Sequence, residues 1–273
     1  MLMGDEIYRA CLSAVARDPR ATALFCDIDG TISPIVADPY AAVVPPQFRT
    51  VLAALATRLG LLAFVTGREL SQGREMVGVP GAAYVGMHGL EAVEPGGETH
   101  CTPAAEPYVA AIQESARRAD QLADRLPGLI VENKRAMVDI HYRKAADTAA
   151  VLKVIEDEIV APAREAGLGI ASGHFVVEVR APLPVDKGTA VAELLDARPQ
   201  IVTTLVFGDD LTDTTGFAAV HEWAARASER LACAVAALTD ETPAAVRETS
   251  DVWVTATPGV LEALTHLLTA CGD

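Results

Sequence analysis

Short apolar runs recur along the chain at Ala21–Cys26, Leu61–Val65, Ala82–Val85, Thr204–Phe207, Cys233–Leu238 and Val252–Val254. Between them, Pro46–Leu59, Thr189–Ala197 and Pro258–Leu268 carry apolar residues at three- and four-residue spacing. Buried strands alternating with amphipathic helices predict a parallel sheet with crossover helices on its faces, an α/β fold of Rossmann-like type. From about Gly96 to Arg180 the pattern changes to helix, strand, strand, helix, strand, strand, which predicts an inserted α+β unit. Its first helix aligns Val109, Ile112, Ala116, Ala119, Leu122 and Leu126 on one face, while Val138, Ile140 and Tyr142 alternate with Asp139, His141 and Arg143 as in a strand. Turn-forming residues place its hairpins near Asn133–Arg135 and at Ser172-Gly173. The expected division is a core of residues 1–97 and 181–273 around an insert of 98–180.

The chain has 273 residues, 51% of them hydrophobic and 22% charged, which suits a globular core and excludes disordered or collagen-like classes. A formal charge of -15 argues against nucleic-acid and anionic-membrane partners. It also repels a phosphorylated small molecule, which therefore needs a local patch of cation and basic side chains. The cysteines, Cys11, Cys26, Cys101, Cys233 and Cys271, are odd in number and form no C-x-x-C pair, so the reading is a reducing compartment without a disulfide framework or zinc site. The acidic start and the lack of a long apolar run predict a soluble cytoplasmic protein. Oligomeric state leaves no mark.

The sharpest chemical feature is Phe25-Cys26-Asp27-Ile28-Asp29-Gly30-Thr31, an apolar strand ending in two acids two residues apart. Ligands of open α/β sheets bind beyond such carboxyl ends. A carboxylate there can attack phosphorus while its neighbour carries a proton for the leaving oxygen, and the turn at Gly30 bares backbone N–H groups to phosphate oxygens. The alternative is a loop whose acids cap a helix or turn. After the second strand, Val65-Thr66-Gly67-Arg68 sets a hydroxyl at an expected helix start, where Thr66 either holds a phosphate oxygen or serves as an N-cap. Lys187, in Asp186-Lys187-Gly188-Thr189 before a helix, neutralises phosphate and nucleophile together, or is a turn lysine in solvent. Last, Val206-Phe207-Gly208-Asp209-Asp210-Leu211-Thr212-Asp213 ends a buried strand in three acids. That is where magnesium, which takes carboxylate and phosphate oxygens, would find Asp27 and Asp209 as ligands, with Asp210 and Asp213 supporting. Three acids so close repel unless a cation or hydrogen bonds compensate them.

Together and in this order, the four elements resemble the haloacid dehalogenase-like phosphatases. The resemblance implies that Asp27 attacks phosphorus to form an aspartyl-phosphate and that Asp29 protonates the leaving group and then activates water. It further implies that Thr66 and Lys187 hold phosphate, and that Mg2+ sits on Asp27, Asp209 and the backbone carbonyl of Asp29. Around these motifs the chain is similar to the trehalose-6-phosphate phosphatase family over about residues 20 to 270. The similarity rests on Asp29-Gly30-Thr31-Ile32-Ser33-Pro34-Ile35, Thr66-Gly67-Arg68, Gly86-Met87-His88-Gly89-Leu90-Glu91, Val131-Glu132-Asn133-Lys134, His141-Tyr142-Arg143 and Gly208-Asp209-Asp210-Leu211-Thr212-Asp213. It implies that the insert is a cap closing over the sugar, with Glu132, Lys134 and Glu178 on its hydroxyls; as strand residues the same three would otherwise face solvent. Arg68 and His88 join the expected substrate-binding set, His88 alternatively being a structural histidine, and Arg143 pairs with a cap carboxylate.

One departure stands out: the family continues Thr-Asp-Glu, whereas here Thr214 follows Thr212-Asp213, which bears on metal affinity or loop order. The expected substrate is trehalose 6-phosphate. The alternatives are another sugar phosphate (of sucrose, glucosylglycerol or mannosylglycerate) or a catalytically silent regulatory homologue. A serine-hydrolase elbow and a nucleotide P-loop are excluded on their usual signatures.

Overall fold

The run Thr22–Cys26 folds as a strand because both its faces find apolar cover: Leu24 and Cys26 enter one buried cluster, Ala23 and Phe25 another. The computed structural model describes residues 5–97, 99–101, 103–134 and 136–272. In chain order it shows α1 (Asp5–Arg17), β1 (Thr22–Cys26), α2 (Pro46–Arg58), β2 (Leu61–Val65), α3 (Leu70–Val77), β3 (Ala83–Gly86), β4 (Glu91–Val93) and β5 (Thr99–Cys101). Then come α4 (Val109–Arg125), β6 (Ile130–Asn133), β7 (Met137–His141), α5 (Thr148–Ile155), α6 (Ala161–Glu165), β8 (Gly169–Gly173) and β9 (Val176–Arg180). The chain closes with α7 (Lys187–Asp196), β10 (Thr203–Gly208), α8 (Asp213–Ala225), β11 (Leu231–Leu238), α9 (Ala244–Thr249), β12 (Val252–Thr255) and α10 (Ala256–Ala270). It divides into two compact units, Met1–His100 with Val185–Asp273, and Cys101–Pro184.

In the first unit the strand order is β12-β11-β10-β1-β2-β3-β4-β5, parallel from β12 to β3. Apolar side chains of α1, α2, α3 and α10 fill one face, and those of α7, α8 and α9 the other. The chain winds outward from β1 through β2 to β3, then returns to β10 on the other side of β1. The crevice between the carboxyl ends of β1 and β10 is therefore the topological switch point, where open α/β sheets bind ligands. The register pairs Cys26 with Phe207, bringing the next residues, Asp27 and Gly208, level across it.

The second unit is a four-stranded antiparallel sheet, β6-β7-β9-β8, packed by α4, whose buried stripe is Ile112, Ser115, Ala116, Ala119 and Leu122. Between α5 and α6 lies a π-helix, Glu156–Val160. Its second hairpin turns at His174-Phe175, two residues beyond the expected Ser172-Gly173, which instead closes β8. Phe175 takes φ +64°, a conformation expected of glycine, and its ring packs edge-on against Tyr142 under the Arg143 guanidinium. The other expected turn includes Arg135, which lies outside the described residues.

Two features depart from the sequence reading. Helix α1 was not expected, because its buried stripe, Tyr8, Cys11 and Val15, includes a tyrosine and a cysteine; the Tyr8 hydroxyl donates to the Ala263 carbonyl at 2.8 Å. Strand β4 runs antiparallel to β3 at the edge of an otherwise parallel series, at three residues too short to show in periodicity. No helix among the described residues is long and apolar enough to cross a membrane.

Away from the switch point, His221 Nε2 stands 2.8 Å from Asp251 Oδ2, which also accepts the Ala234 N–H. The bond to Asp251 raises the His221 pKa, with partial burial opposing it. Burial works to raise Asp251, but His221 and the Ala234 N–H hold it low. A raised histidine stabilises fully below its unfolded value of about 6.5 and ceases to do so as pH climbs through its higher folded value. His221→Gln is therefore expected to lower urea-unfolding stability at pH 5.5 by roughly 0.2–1 kcal/mol, as for other exposed pairs, with the difference shrinking towards pH 9.

Candidate active site

Strand β1 ends at Cys26, and the chain turns at once: the N–H groups of Ile32 and Ser33 donate to the Ile28 carbonyl, and that of Gly30 to the Ser33 carbonyl at 2.7 Å. This hairpin holds Asp27 at the strand end, buried, with its own N–H bonded to the Phe207 carbonyl. Gly30 has φ +77°, and a Cβ there would stand 1.9 Å from Asp209 Oδ2. Glycine is thus required twice, for the turn and for the close approach of Asp209 from β10.

Lys187 is the first residue of α7, fixed by a capping box between Asp186 and Thr189. Its Nζ lies 2.7 Å from Asp27 Oδ1 and 2.7 Å from Asp213 Oδ1. The other oxygen of Asp213 accepts the N–H groups of Asp209 and Asp210, both at 3.1 Å. Asp213 therefore acts through Lys187 and the Gly208–Asp210 turn, since both its oxygens are engaged. Thr214 donates to the Leu211 carbonyl at 2.6 Å, so it closes the same turn where an acid was expected.

Burial shapes the charges. It pushes Asp27 up to about 7 even though Lys187 pulls the other way, with Asp213 and Asp29 adding to the rise. Asp209 is likewise raised by burial, then by Asp27 and Asp213. Lys187 is held protonated: burial disfavours its charge, but Asp213 and Asp27 outweigh it. The centre thus carries more buried negative charge than its one lysine balances. Asp27, Asp209 and Asp213 present ligand oxygens within 4.8 Å of one another, an all-oxygen set of the kind hard divalent cations take. Asp27 and Asp209 fit such an ion.

Thr66 follows β2, but the expected helix start lies further on, at Leu70 with Glu69 as N-cap residue, so Thr66 is not the cap. Its buried Oγ1 accepts the Arg68 N–H at 3.2 Å, forming a turn at the carboxyl edge of the sheet. Arg68 grips Asp29 with two bonds, Nε to Oδ2 at 2.6 Å and Nη2 to Oδ1 at 2.7 Å, and Nη2 also donates to the Pro39 carbonyl. It is therefore a partner of the second acid in addition to any contact with substrate. His88 is buried against Gly67 and has φ +55°, next to Met87 at +47°. Two successive left-handed non-glycine residues store about 1–3 kcal/mol each and mark a position fixed by its surroundings.

In the second unit, the register Glu132↔Asp139↔Glu178 lays three carboxylates in one row across β6, β7 and β9. All three are buried, as is Lys134, instead of facing solvent. Lys134 Nζ reaches Asp139 Oδ2 at 2.5 Å and Glu132 Oε2 at 3.2 Å. Burial raises Glu132, but His141 and Lys134 outweigh it and hold it at about 2. Burial raises Asp139, with Lys134 opposing. Asp139 escaped the sequence reading, which took it for the polar half of an alternating strand; its cross-strand alignment with two other acids was the missed signal.

A trehalose-phosphatase family model matches residues 25–250. Over 212 residues the chain is 35% identical to a trehalose-phosphate phosphatase of Mycobacterium tuberculosis, covering 74% of this chain and 51% of that protein. It thus spans about half the length of the curated relatives it matches. Its fold matches the C-terminal domain of a Candida albicans trehalose-6-phosphate phosphatase, with TM-score 0.78, 21% identity and 96% of each chain covered. A haloacid dehalogenase-like hydrolase from Bacteroides thetaiotaomicron matches with TM-score 0.60 at 15% identity, over 89% of this chain and 98% of that one. At these identities the structures establish the haloacid dehalogenase-like α/β fold.

Proposed function

The chain belongs to the trehalose-phosphatase family, and we propose that it hydrolyses trehalose 6-phosphate to trehalose and phosphate through an aspartyl-phosphate on Asp27. The observation that carries this reading is the switch-point centre, where Asp27, paired with Lys187 at 2.7 Å, lies beside Asp209. Asp27 attacks phosphorus; its Oδ–P bond forms as the bond to the sugar oxygen breaks, and Asp29 delivers a proton to that oxygen. Asp29 then takes a proton from the water that attacks phosphorus, which frees phosphate and restores Asp27. Thr66 and Lys187 hold the phosphoryl oxygens. Arg68 meets the phosphate by exchanging Asp29 for it. Mg2+, held by Asp27, Asp209 and the Asp29 carbonyl, would neutralise the charge that builds on the transferring group.

We assign sugar recognition to Glu132, Lys134 and Glu178, whose carboxylates accept and whose ammonium donates hydrogen bonds to hydroxyls. His88, in the turn after β3, serves as a positioning residue for Thr66-Gly67. The domain roles proposed are catalysis by residues 1–97 and 181–273 and lid function by 98–180. The partner is a small molecule, and the acidic charge and odd cysteine count support a cytoplasmic, non-nucleic-acid setting.

The test is phosphate release from trehalose 6-phosphate beside sucrose 6-phosphate, glucose 6-phosphate and an aryl phosphate; comparable rates on all four would remove the substrate assignment. Glu132→Ala is expected to raise KM for trehalose 6-phosphate roughly tenfold or more and to leave aryl phosphate hydrolysis within about twofold. Gly30→Ala is expected to cut kcat on both substrates on the order of a hundredfold, because its Cβ displaces Asp209 by more than a tolerable fraction of an ångström.

A further inference from the structure

The row of carboxylates in the insert leaves a charge and hydrogen-bond deficit that its lysine does not fill. Asp139 is 6% exposed, and while its Oδ2 is bonded to Lys134, its Oδ1 is buried without a hydrogen-bond partner among the described residues. His141, two residues along β7 and so on the same sheet face, has its Nε2 buried 3.7 Å from Glu132 Oε2, too far for a good hydrogen bond though close enough to hold that carboxylate low. A buried polar atom left unmade costs about 1–3 kcal/mol, so the bare Asp139 Oδ1, with a loosely held imidazole on the same face, points to a ligand that would satisfy it.

Glu132, Asp139 and His141 bring ligand atoms within 4.8 Å of one another, yet the Lys134 ammonium already lies between Glu132 and Asp139. A divalent ion there would meet a fixed positive charge. A neutral polyol would not, and its hydroxyls give to carboxylate oxygens and exchange with an imidazole nitrogen in either direction.

We propose that Asp139 and His141 are specificity-determining residues of a neutral-polyol subsite in the insert, Asp139 taking a sugar hydroxyl on Oδ1 while its Oδ2 aims Lys134. The assignment rests on the sugar-phosphate reading above and extends it to residues outside the Glu132, Lys134 and Glu178 set. In this arrangement Asp139 is both a binding group and the brace of the lysine beside it, whereas His141 sits one row further along the same face, level with Ile130 and Val176. The role predicts a loss confined to substrates that carry a sugar.

The test compares wild type, Asp139→Asn and His141→Gln on trehalose 6-phosphate and on an aryl phosphate, with free trehalose as a competitor of aryl phosphate hydrolysis. Asp139→Asn keeps the shape but withdraws the charge on Lys134. It is expected to raise KM for trehalose 6-phosphate and the inhibition constant of trehalose roughly ten- to a hundredfold, with kcat/KM on the aryl phosphate within about twofold. His141→Gln is expected to do the same to a smaller degree, and it decides the matter should Asp139→Asn fail to fold. An unchanged ratio between the two substrates, or an equal fall on both, overturns the proposal. A wild type with no preference for the sugar phosphate overturns the underlying reading, a result visible before any variant is made.

Discussion

Asp27→Asn is expected to leave the protein folded and to lower phosphate release by a factor on the order of 10^4 or more on every substrate. The amide is nearly isosteric with the carboxylate but is not a nucleophile, so the bond to phosphorus cannot form. The fold survives because the change relieves charge: Asp27 is pushed up to about 7 by burial, and Asp29 and Asp213 crowd it further. Removing one of the buried acids lessens a repulsion that the fold bears for its chemistry. The check pairs a phosphate-release assay with a urea melt in chelator, where the variant is expected to match or exceed wild type. If the Asp27→Asn variant still turned over at more than a few per cent of the wild-type rate, the nucleophile would have to lie elsewhere.

Lys187→Met is expected to have the largest effect on stability, about 3–5 kcal/mol, because it leaves Asp27 and Asp213 buried without the cation 2.7 Å from each. The pH dependence identifies the cause. Burial already raises the Asp27 pKa to about 7 against the pull of Lys187, so without the ammonium it rises further, and such a group stabilises only while protonated. The variant is therefore expected to lose more stability at pH 8 than at pH 5, measured by urea unfolding in chelator. Activity falls with it, since the group that holds both the nucleophile and the phosphate is gone.

The positions of the core motifs were legible because they stand at the ends of regular elements. The Asp27, Thr66 and Asp209 motifs each follow a run of buried apolar residues, and a strand that ends in Asp, Thr or Gly-Asp-Asp shows in one sequence, whereas Lys187 opens a helix. The contacts between motifs were not legible, because they are set by distant segments. Nothing in Thr66-Gly67-Arg68 says that Arg68 binds Asp29, 39 positions upstream, or that Thr66 caps no helix. Asp213 read as a supporting acid of the metal site, but nothing in the sequence says how it supports it, through Lys187 and the Asp209 and Asp210 N–H groups. In the insert, alternation located the strands correctly, but the rule that polar strand positions meet solvent failed for Glu132, Asp139 and Glu178. Only the register, which aligns them in one row, reveals why they are held together. The missed hairpin turn has the same origin: Phe175 adopts a glycine conformation because tertiary packing against Tyr142 and Arg143 holds it there.

The most direct test of the central claim is phosphate release from trehalose 6-phosphate by chelator-treated wild-type protein, before and after Mg2+ is restored, with an aryl phosphate alongside. The expected result is negligible release without the ion, rapid release with it, and a clear preference for the sugar phosphate. Undiminished release in chelator would contradict the reading of Asp27 and Asp209 as a cation site, and release from neither substrate in Mg2+ would contradict the phosphatase itself.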